Sequence, residues 1–189
     1  MKKNIIKKDE YTGEIALKNL FDVYSRMVFN VAMRMLQNKQ DAEDITQDVF
    51  LQVYKSLKYF RGESKISTWL YRITINLSLN LQRRRKYKLW LSLDYGTSQD
   101  DDINIDIADA REENPDAIVE RKETEQIVQE AINSLPNQQR VALLLHRYEG
   151  LSYEEIAKIM DVSIASVESR LHRAKQNLAK KLQHLRNGL

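Results

Sequence analysis

Ser169, His172 and Arg173 stand at helical spacing near the end of the chain, and their types suit hydrogen bonding to base edges and phosphates. They share a segment with a strict apolar stripe: Val167, Leu171, Ala174, Leu178, Leu182 and Leu185 recur at steps of three and four. A turn of about 100° per residue sets Ala165, Ser169, His172, Arg173 and Gln176 opposite that stripe, with Ser166 and Glu168 at its edges. One face is therefore built to pack, and the other is small, polar and basic. Just upstream, Ser152 and Glu155 have capping-box spacing and predict a helix starting at Tyr153, with Ile156, Ala157 and Met160 on its apolar side. Asp161, Val162 and Ser163 predict a short turn: Asp161 tolerates a left-handed corner, and Ser163 can cap the second helix. Two helices on so short a turn form a helix-turn-helix whose second member fits the major groove of DNA.

Other chemistries find less support. Asp41, Asp44 and Asp48 fall on one helical face and raise a metal-site reading, but in the first turns of a helix carboxylates cap it and oppose its dipole. His146, His172 and His184 are widely separated and form no ligand pair at helical spacing. The sequence has no cysteine, which excludes disulfides, thiolate metal sites and thiol catalysis, and it has no phosphate-binding loop. No metal, no cofactor and no catalysis are expected.

The elements that must position the basic face follow from composition. In 189 residues there are five glycines and two prolines, so few breakers interrupt helices and an all-α fold is expected. Apolar residues make up 42% and charged residues 30%, enough to build one or two small cores in a soluble chain. Neither a signal-peptide apolar run nor a membrane-spanning stretch is present in this sequence, and a cytoplasmic location without membrane insertion is expected.

Helical periodicity runs from about Ile15 to Leu91. A stripe from Leu17 through Phe21, Tyr24, Val28 and Met35 ends near Asn38; Asp41 is placed to cap a second helix with Ile45, Val49, Val53 and Leu57 inward. A loop from Tyr59 to Lys65 precedes a third helix, Ser67 to Arg85, which runs through Trp69, Leu70, Ile73, Leu77 and Leu81. Residues 93–115 lose periodicity and hold an acidic tract from Asp100 to Glu113, and are read as a linker. Helix resumes from Asp116, breaks at Leu135 and Pro136, and continues through Val141 to Tyr148 before Glu149 and Gly150 end it. The expected organisation is two small helical domains, 1–92 and 116–189, joined by that acidic linker. The formal net charge is only +3, but the basic residues gather at Arg83 to Lys86 and along the last helix. Trp69, Tyr71 and Phe60 near those arginines admit two readings: aromatic support for unstacked bases, or a core with a basic helix end. Asn76 and Asn80, one turn apart, could hydrogen-bond a base edge.

Together these residues resemble the extracytoplasmic-function group of bacterial RNA polymerase sigma factors. Asp41 to Phe50 (DAEDITQDVF) is similar to the family's region 2.1–2.2; Phe60 to Ser64 (FRGES), Ser67 to Ile73 (STWLYRI) and Asn76 are similar to regions 2.3–2.4. Leu135, Pro136 and Arg140, then Gly150 to Ala157 (GLSYEEIA) and Val167 to Ala174 (VESRLHRA), are similar to region 4. The resemblance implies a promoter-specificity subunit without catalysis of its own, a monomer when free. Its partners would be core RNA polymerase, through the β′ clamp helices and the β flap, promoter DNA, and an anti-sigma factor. It assigns Phe60, Arg61, Gly62, Glu63, Ser64, Lys65 and Asn80 to a pocket for a flipped base of the −10 element, with Arg83, Arg84 and Arg85 on the DNA backbone. Ser166, Glu168, Ser169, His172 and Arg173 would face the −35 major groove, and Asp44, Gln47 and Asp48 would dock the clamp helices. The acidic linker would thread where RNA later travels.

This chain departs from the family pattern at three positions. Glu168 stands where a basic residue is frequent, turning a phosphate contact into a cytosine contact or into repulsion. Leu70 stands where primary sigma factors carry the second aromatic of a strand-separating pair, implying weaker melting and a stricter promoter. Asp161 replaces the corner glycine. Two other classes share parts of the pattern: a stand-alone dimeric regulator with the same C-terminal motif, and a helical metal-dependent enzyme built on Asp41, Asp44 and Asp48.

Overall fold

The structure, a computed structural model, describes residues 14–60, 62, 64–94 and 115–186. Among the described residues there are seven α-helices and no strand: α1 (Glu14–Leu36), α2 (Lys39–Ser56), α3 (Ile66–Asp94), α4 (Pro115–Asn133), α5 (Asn137–Arg147), α6 (Tyr153–Met160) and α7 (Ile164–Arg186). The all-α class expected from the scarcity of breakers is what forms. The chain divides into two compact units, one holding α1 to α3 and the other α4 to α7. Most of the expected linker, residues 95–114, lies outside the described residues, as do the first thirteen.

In the first unit, α1, α2 and α3 pack against one another around a single core. Leu20, Val28 and Ala32 of α1 meet Ala42, Ile45, Val49 and Val53 of α2 and Leu70 and Ile73 of α3, all buried. Each large aliphatic side chain buried there stabilises the unit by about 1.5–3 kcal/mol relative to exposure. The apolar stripe read along α1 is wider than its buried face: Phe21 is exposed at the rim, where it meets Phe50 edge-to-face with centroids 4.9 Å apart.

Two sequence expectations about boundaries need correction. Asp41 does not cap α2; Asn38 does, in extended backbone, its side chain accepting the Asp41 N–H at 2.9 Å. The α1–α2 turn is only Gln37 and Asn38, with Gln37 left-handed at φ 59° and its N–H returned to the Met33 carbonyl. So tight a turn leaves the capping role to the residue immediately before Lys39. Likewise α3 does not stop at Arg85 but continues to Asp94, because Lys86 to Leu93 contains no glycine or proline to end it.

In the second unit α7 packs against α4, α5 and α6. Val167, Leu171 and Ala174 are buried as the stripe predicts, whereas Leu178 and Leu182 are only half-buried, since α7 runs on past its partners. The Leu185 side chain lies outside those described. Pro136 precedes α5 as the Leu135–Pro136 break implies, and Gly150, at φ +64°, lets the chain leave α5 with the Leu151 N–H reaching the Leu145 carbonyl at 3.2 Å. Arg140 is buried on α5, its Nη1 donating to the carbonyl of Asn133, the last residue of α4, at 3.4 Å. Burial pulls its pKa below the usual guanidinium value without discharging it. A cation thus sits where the carbonyl end of α4 favours one.

The capping box forms as read: Ser152 Oγ accepts the Glu155 N–H and the Glu155 carboxylate accepts the Ser152 N–H, both at 3.2 Å. Its neighbour Glu154 is held below the usual carboxylate range by its own backbone N–H and by Ser152. Asp161 is left-handed (φ 55°, ψ 54°), and the Val162 N–H returns to the Ala157 carbonyl at 3.1 Å in a Schellman-type closure. Asp161→Val should therefore cost about 1–2 kcal/mol, since a β-branched side chain is strained in that region. Thermal unfolding checks this, and an unchanged midpoint would show that the corner tolerates any residue.

Candidate nucleic-acid interface

The geometry of α7 separates packing from presentation. Ser163 caps it, its Oγ accepting the Ser166 N–H at 3.2 Å. Asn177 donates to the Gln139 side chain of α5 at 2.8 Å, and Arg170 Nη1 lies 3.9 Å from Met160 Sδ of α6. Those contacts fix the rotation of the helix about its axis. Opposite them Ala165, Glu168, Ser169, His172, Arg173 and Gln176 are exposed, and Ser166 is half-buried at the edge. The Gln176 amide lies 2.9 Å from His172 Nε2, so the two side chains are held together on the outer face. His146 under the motif is structural, with Nδ1 3.1 Å from the Leu151 carbonyl and its ring edge-on to Tyr153.

The first unit presents α3 in a comparable way. Asn76, Asn80, Arg83 and Arg84 are exposed along it. Of the loop residues, Arg61 and Glu63 lie outside the described residues; Gly62, at φ +70°, Ser64 and Lys65 are exposed, and Phe60 is half-buried. Phe60 lies against Trp69, centroids 5.0 Å apart and planes tilted by 31°, while Trp69 packs on the core. Trp69 is thus partly buried against the core, while the arginines do not form a helix end, since α3 runs on to Asp94. Leu70 is 0% exposed, so the departure noted there alters packing inside the unit and removes no ring from its surface.

Arg85 is separated from its neighbours. Its guanidinium grips the Asp41 carboxylate through two hydrogen bonds of 2.5 and 2.6 Å, turned away from the face carrying Arg83. Reading Arg83, Arg84 and Arg85 as one cluster ignores that helix rotation puts Arg85 about 160° from Arg83. Gln82, which the sequence pattern does not single out, reinforces the same anchor by donating to the Met35 carbonyl at the end of α1, at 2.5 Å. Asp41 and Arg85 side chains are 11% and 55% exposed, so Arg85→Ala should strand a mostly buried carboxylate and cost about 1–2 kcal/mol, the pair being partly solvent-screened. Arg83→Ala and Arg84→Ala should stay within about 0.5 kcal/mol. Equal unfolding midpoints for all three variants would return Arg85 to the outward set.

The same ion pair removes the metal trio: Asp41 is engaged by Arg85, while Asp44 and Asp48 face outward, Asp44 accepting from Gln40 at 3.3 Å. Among the described residues no group of three or more histidine or acidic side chains is placed to hold a metal ion. Nor is any described helix long and apolar enough to cross a membrane. Asp44, Gln47 and Asp48 do share the exposed face of α2, and Leu51 and Tyr54, both exposed, continue it. Leu51 and Tyr54 follow Asp44, Gln47 and Asp48 at steps of three and four, a signal present in the residue spacing itself.

Comparison with known proteins fits this arrangement. The family described as "Sigma-70 region 2" matches residues 20–87, and "Sigma-70, region 4" matches residues 125–178. Among curated relatives, the RNA polymerase sigma-H factor of Pseudomonas aeruginosa is 34% identical over 89% of each chain. The ECF RNA polymerase sigma factor SigW of Bacillus subtilis is 30% identical over 98% of each. The ECF RNA polymerase sigma-E factor of Escherichia coli is 38% identical over 77% of this chain and 75% of its own. Among solved structures, the sigma factor RpoE crystallised with the anti-sigma factor NepR from Bartonella quintana has a TM-score of 0.66 at 25% identity, covering 88% of this chain and 96% of that one. CnrH, solved with the cytosolic domain of CnrY, shares the fold at TM-score 0.65 and 20% identity, over 93% of this chain and 92% of that one. With both regions matched in order and full-length relatives of one kind, the chain belongs to the sigma-70 family as an ECF-type alternative sigma factor that directs transcription initiation.

Proposed function

We propose that this chain binds core RNA polymerase and carries two promoter-reading surfaces to it, one on each unit. The outer face of α7, with Ser166, Glu168, Ser169, His172 and Arg173, reads the −35 element in the major groove. The loop of residues 60–65, with Asn80, receives a flipped base of the −10 element, and Arg83 and Arg84 hold the backbone. Arg85 is left out of that set and given the anchoring role described above. Asp44, Gln47 and Asp48 meet the β′ clamp helices, the second unit sits on the β flap, and the acidic linker occupies the path of the transcript.

The observation that carries this reading is the orientation of α7. Val167, Leu171 and Ala174 of its apolar stripe are buried in the unit, where α7 packs against α4, α5 and α6, which leaves the polar face outward. An anti-sigma factor is a further partner, supported by the similarity to RpoE, whose structure was solved with one. Work in the cytoplasm as a monomer without catalysis follows from the same reading; sigma factors are non-enzymatic initiation factors.

Run-off transcription with purified core polymerase is the test. The chain should bind core and produce transcripts from promoters enriched by the reconstituted holoenzyme. Failure to bind core, combined with tight dimeric binding to paired duplex half-sites, would replace this reading with a stand-alone regulator.

A further inference from the structure

The last turns of α3 carry a feature the proposed contacts do not use. Tyr87 and Trp90 are 64% and 62% exposed, with rings stacked at a centroid distance of 6.4 Å and planes 26° apart. Two large rings side by side form a contiguous exposed apolar patch, which marks an interaction surface more often than single exposed residues do. The helix itself is strongly basic: α3 carries six basic residues, of which Arg85 is paired with Asp41, and its single acidic one is its last, Asp94. At about 100° per residue, Lys86, Tyr87 and Trp90 fall within about 60° of Arg83 around the helix, and so do Asn76 and Asn80. The aromatic pair therefore continues the face proposed to hold the −10 element. Ten residues separate Asn80 from Trp90, about 15 Å of helix or four to five base pairs of duplex.

From this placement we infer that Tyr87 and Trp90, with Lys86, bind the sugar–phosphate backbone of the duplex next to the −10 element, on its upstream side. This rests on the proposed −10 role of α3. The tyrosine hydroxyl and the indole N–H donate to phosphate oxygens, the ring bodies cover deoxyribose, and the lysine neutralises charge. The upstream side follows from the proposed reading: strands separate from the −10 element toward the start site, so the duplex left next to that element lies upstream of it. The contact reads no base and adds grip between the two recognised elements. An anionic membrane surface fits less well: a helix lying on lipid segregates its apolar and basic residues, whereas here Tyr87 and Trp90 stand between Lys86 and Arg84.

The test uses the full chain assembled with core polymerase and a promoter fragment enriched by the wild-type holoenzyme from random duplex DNA. One form of the fragment is native; the other carries neutral methylphosphonate linkages over the five base pairs upstream of the −10 element. The Tyr87→Ala/Trp90→Ala variant should bind the native fragment about tenfold more weakly than wild type. Wild type should lose at least a similar factor on the neutralised fragment, and the variant should lose less than wild type does, since only Lys86 of the three still meets those phosphates. Tyr87→Phe/Trp90→Phe keeps ring bodies but loses both donors; it should fold with the wild-type midpoint and bind the native fragment with an affinity between those of wild type and the alanine variant. Equal binding by wild type and the alanine variant would overturn the inference. So would a variant still fully sensitive to neutralisation, or one that loses only binding to phosphatidylglycerol vesicles. If the wild-type chain binds core yet enriches no DNA, the underlying −10 reading fails; a wild type that enriches promoters but ignores neutralisation sinks the upstream contact alone.

Discussion

Leu171→Ala is expected to destabilise the second unit by about 2–5 kcal/mol and to abolish −35 recognition while leaving the first unit folded. Leu171 is 1% exposed on α7, and α7 is the element that α4, α5 and α6 all touch. Truncation removes the transfer energy of three carbons and leaves a cavity at that junction, which the short α6 is poorly able to close. Such a loss is a large share of the total stability of a domain this small. Hydrogen exchange of the full chain separates the units: protection should fall across α5 to α7 and persist across α1 to α3. A uniform loss over both would show that the units unfold together, and retained protection everywhere would show that Leu171 is not the keystone its burial implies.

That substitution lies two residues from Arg173, yet the two changes should act through different observables, one on folding and one on promoter choice. The difference follows from helix rotation and is legible in the residue pattern alone, because a stripe at steps of three and four fixes what points the other way. The capping box at Ser152 and Glu155, the left-handed Asp161 and the Ser163 cap are legible for a similar reason: each is a local contest decided within four residues. What is not legible depends on distant partners. Asp41 has the composition of a cap, and only the two-residue turn at Gln37 and Asn38 gives that task to Asn38. Arg85 sits in a basic run, and only the approach of α2 gives it the Asp41 carboxylate. Leu70 reads as a lost surface aromatic because sequence position does not report burial. Phe60 suits a pocket by type, while its ring leans on Trp69. The outward Leu51, Tyr87 and Trp90 pass as ordinary members of apolar helices, since periodicity identifies the packed face more readily than it flags a side chain left outside.

Arg173→Ala should weaken holoenzyme binding to the −35 element by about 1–3 kcal/mol, with the loss concentrated at one base pair. The guanidinium is exposed on the outer face of α7, on the side of Ser169 one turn earlier, and next to the paired His172 and Gln176. An arginine so placed can donate two parallel hydrogen bonds to O6 and N7 of a guanine, which no other base accepts. Removing it should flatten the preference at that position, and Arg173→Lys should restore attraction without restoring discrimination, since an ammonium lacks the planar fork. The alternative lies in the helix itself. Arg173 is in the third turn of α7, and where a recognition helix enters the groove by its N-terminal end, residues that far along meet phosphate instead. A panel of −35 variants measured at several salt concentrations distinguishes the two. A base contact gives a loss confined to one position; a phosphate contact gives equal loss on every sequence and a salt slope reduced by about one. In the second outcome specificity would pass to Ser166 and Ser169 nearer the helix start, and Glu168 between them would be the residue to test for a cytosine.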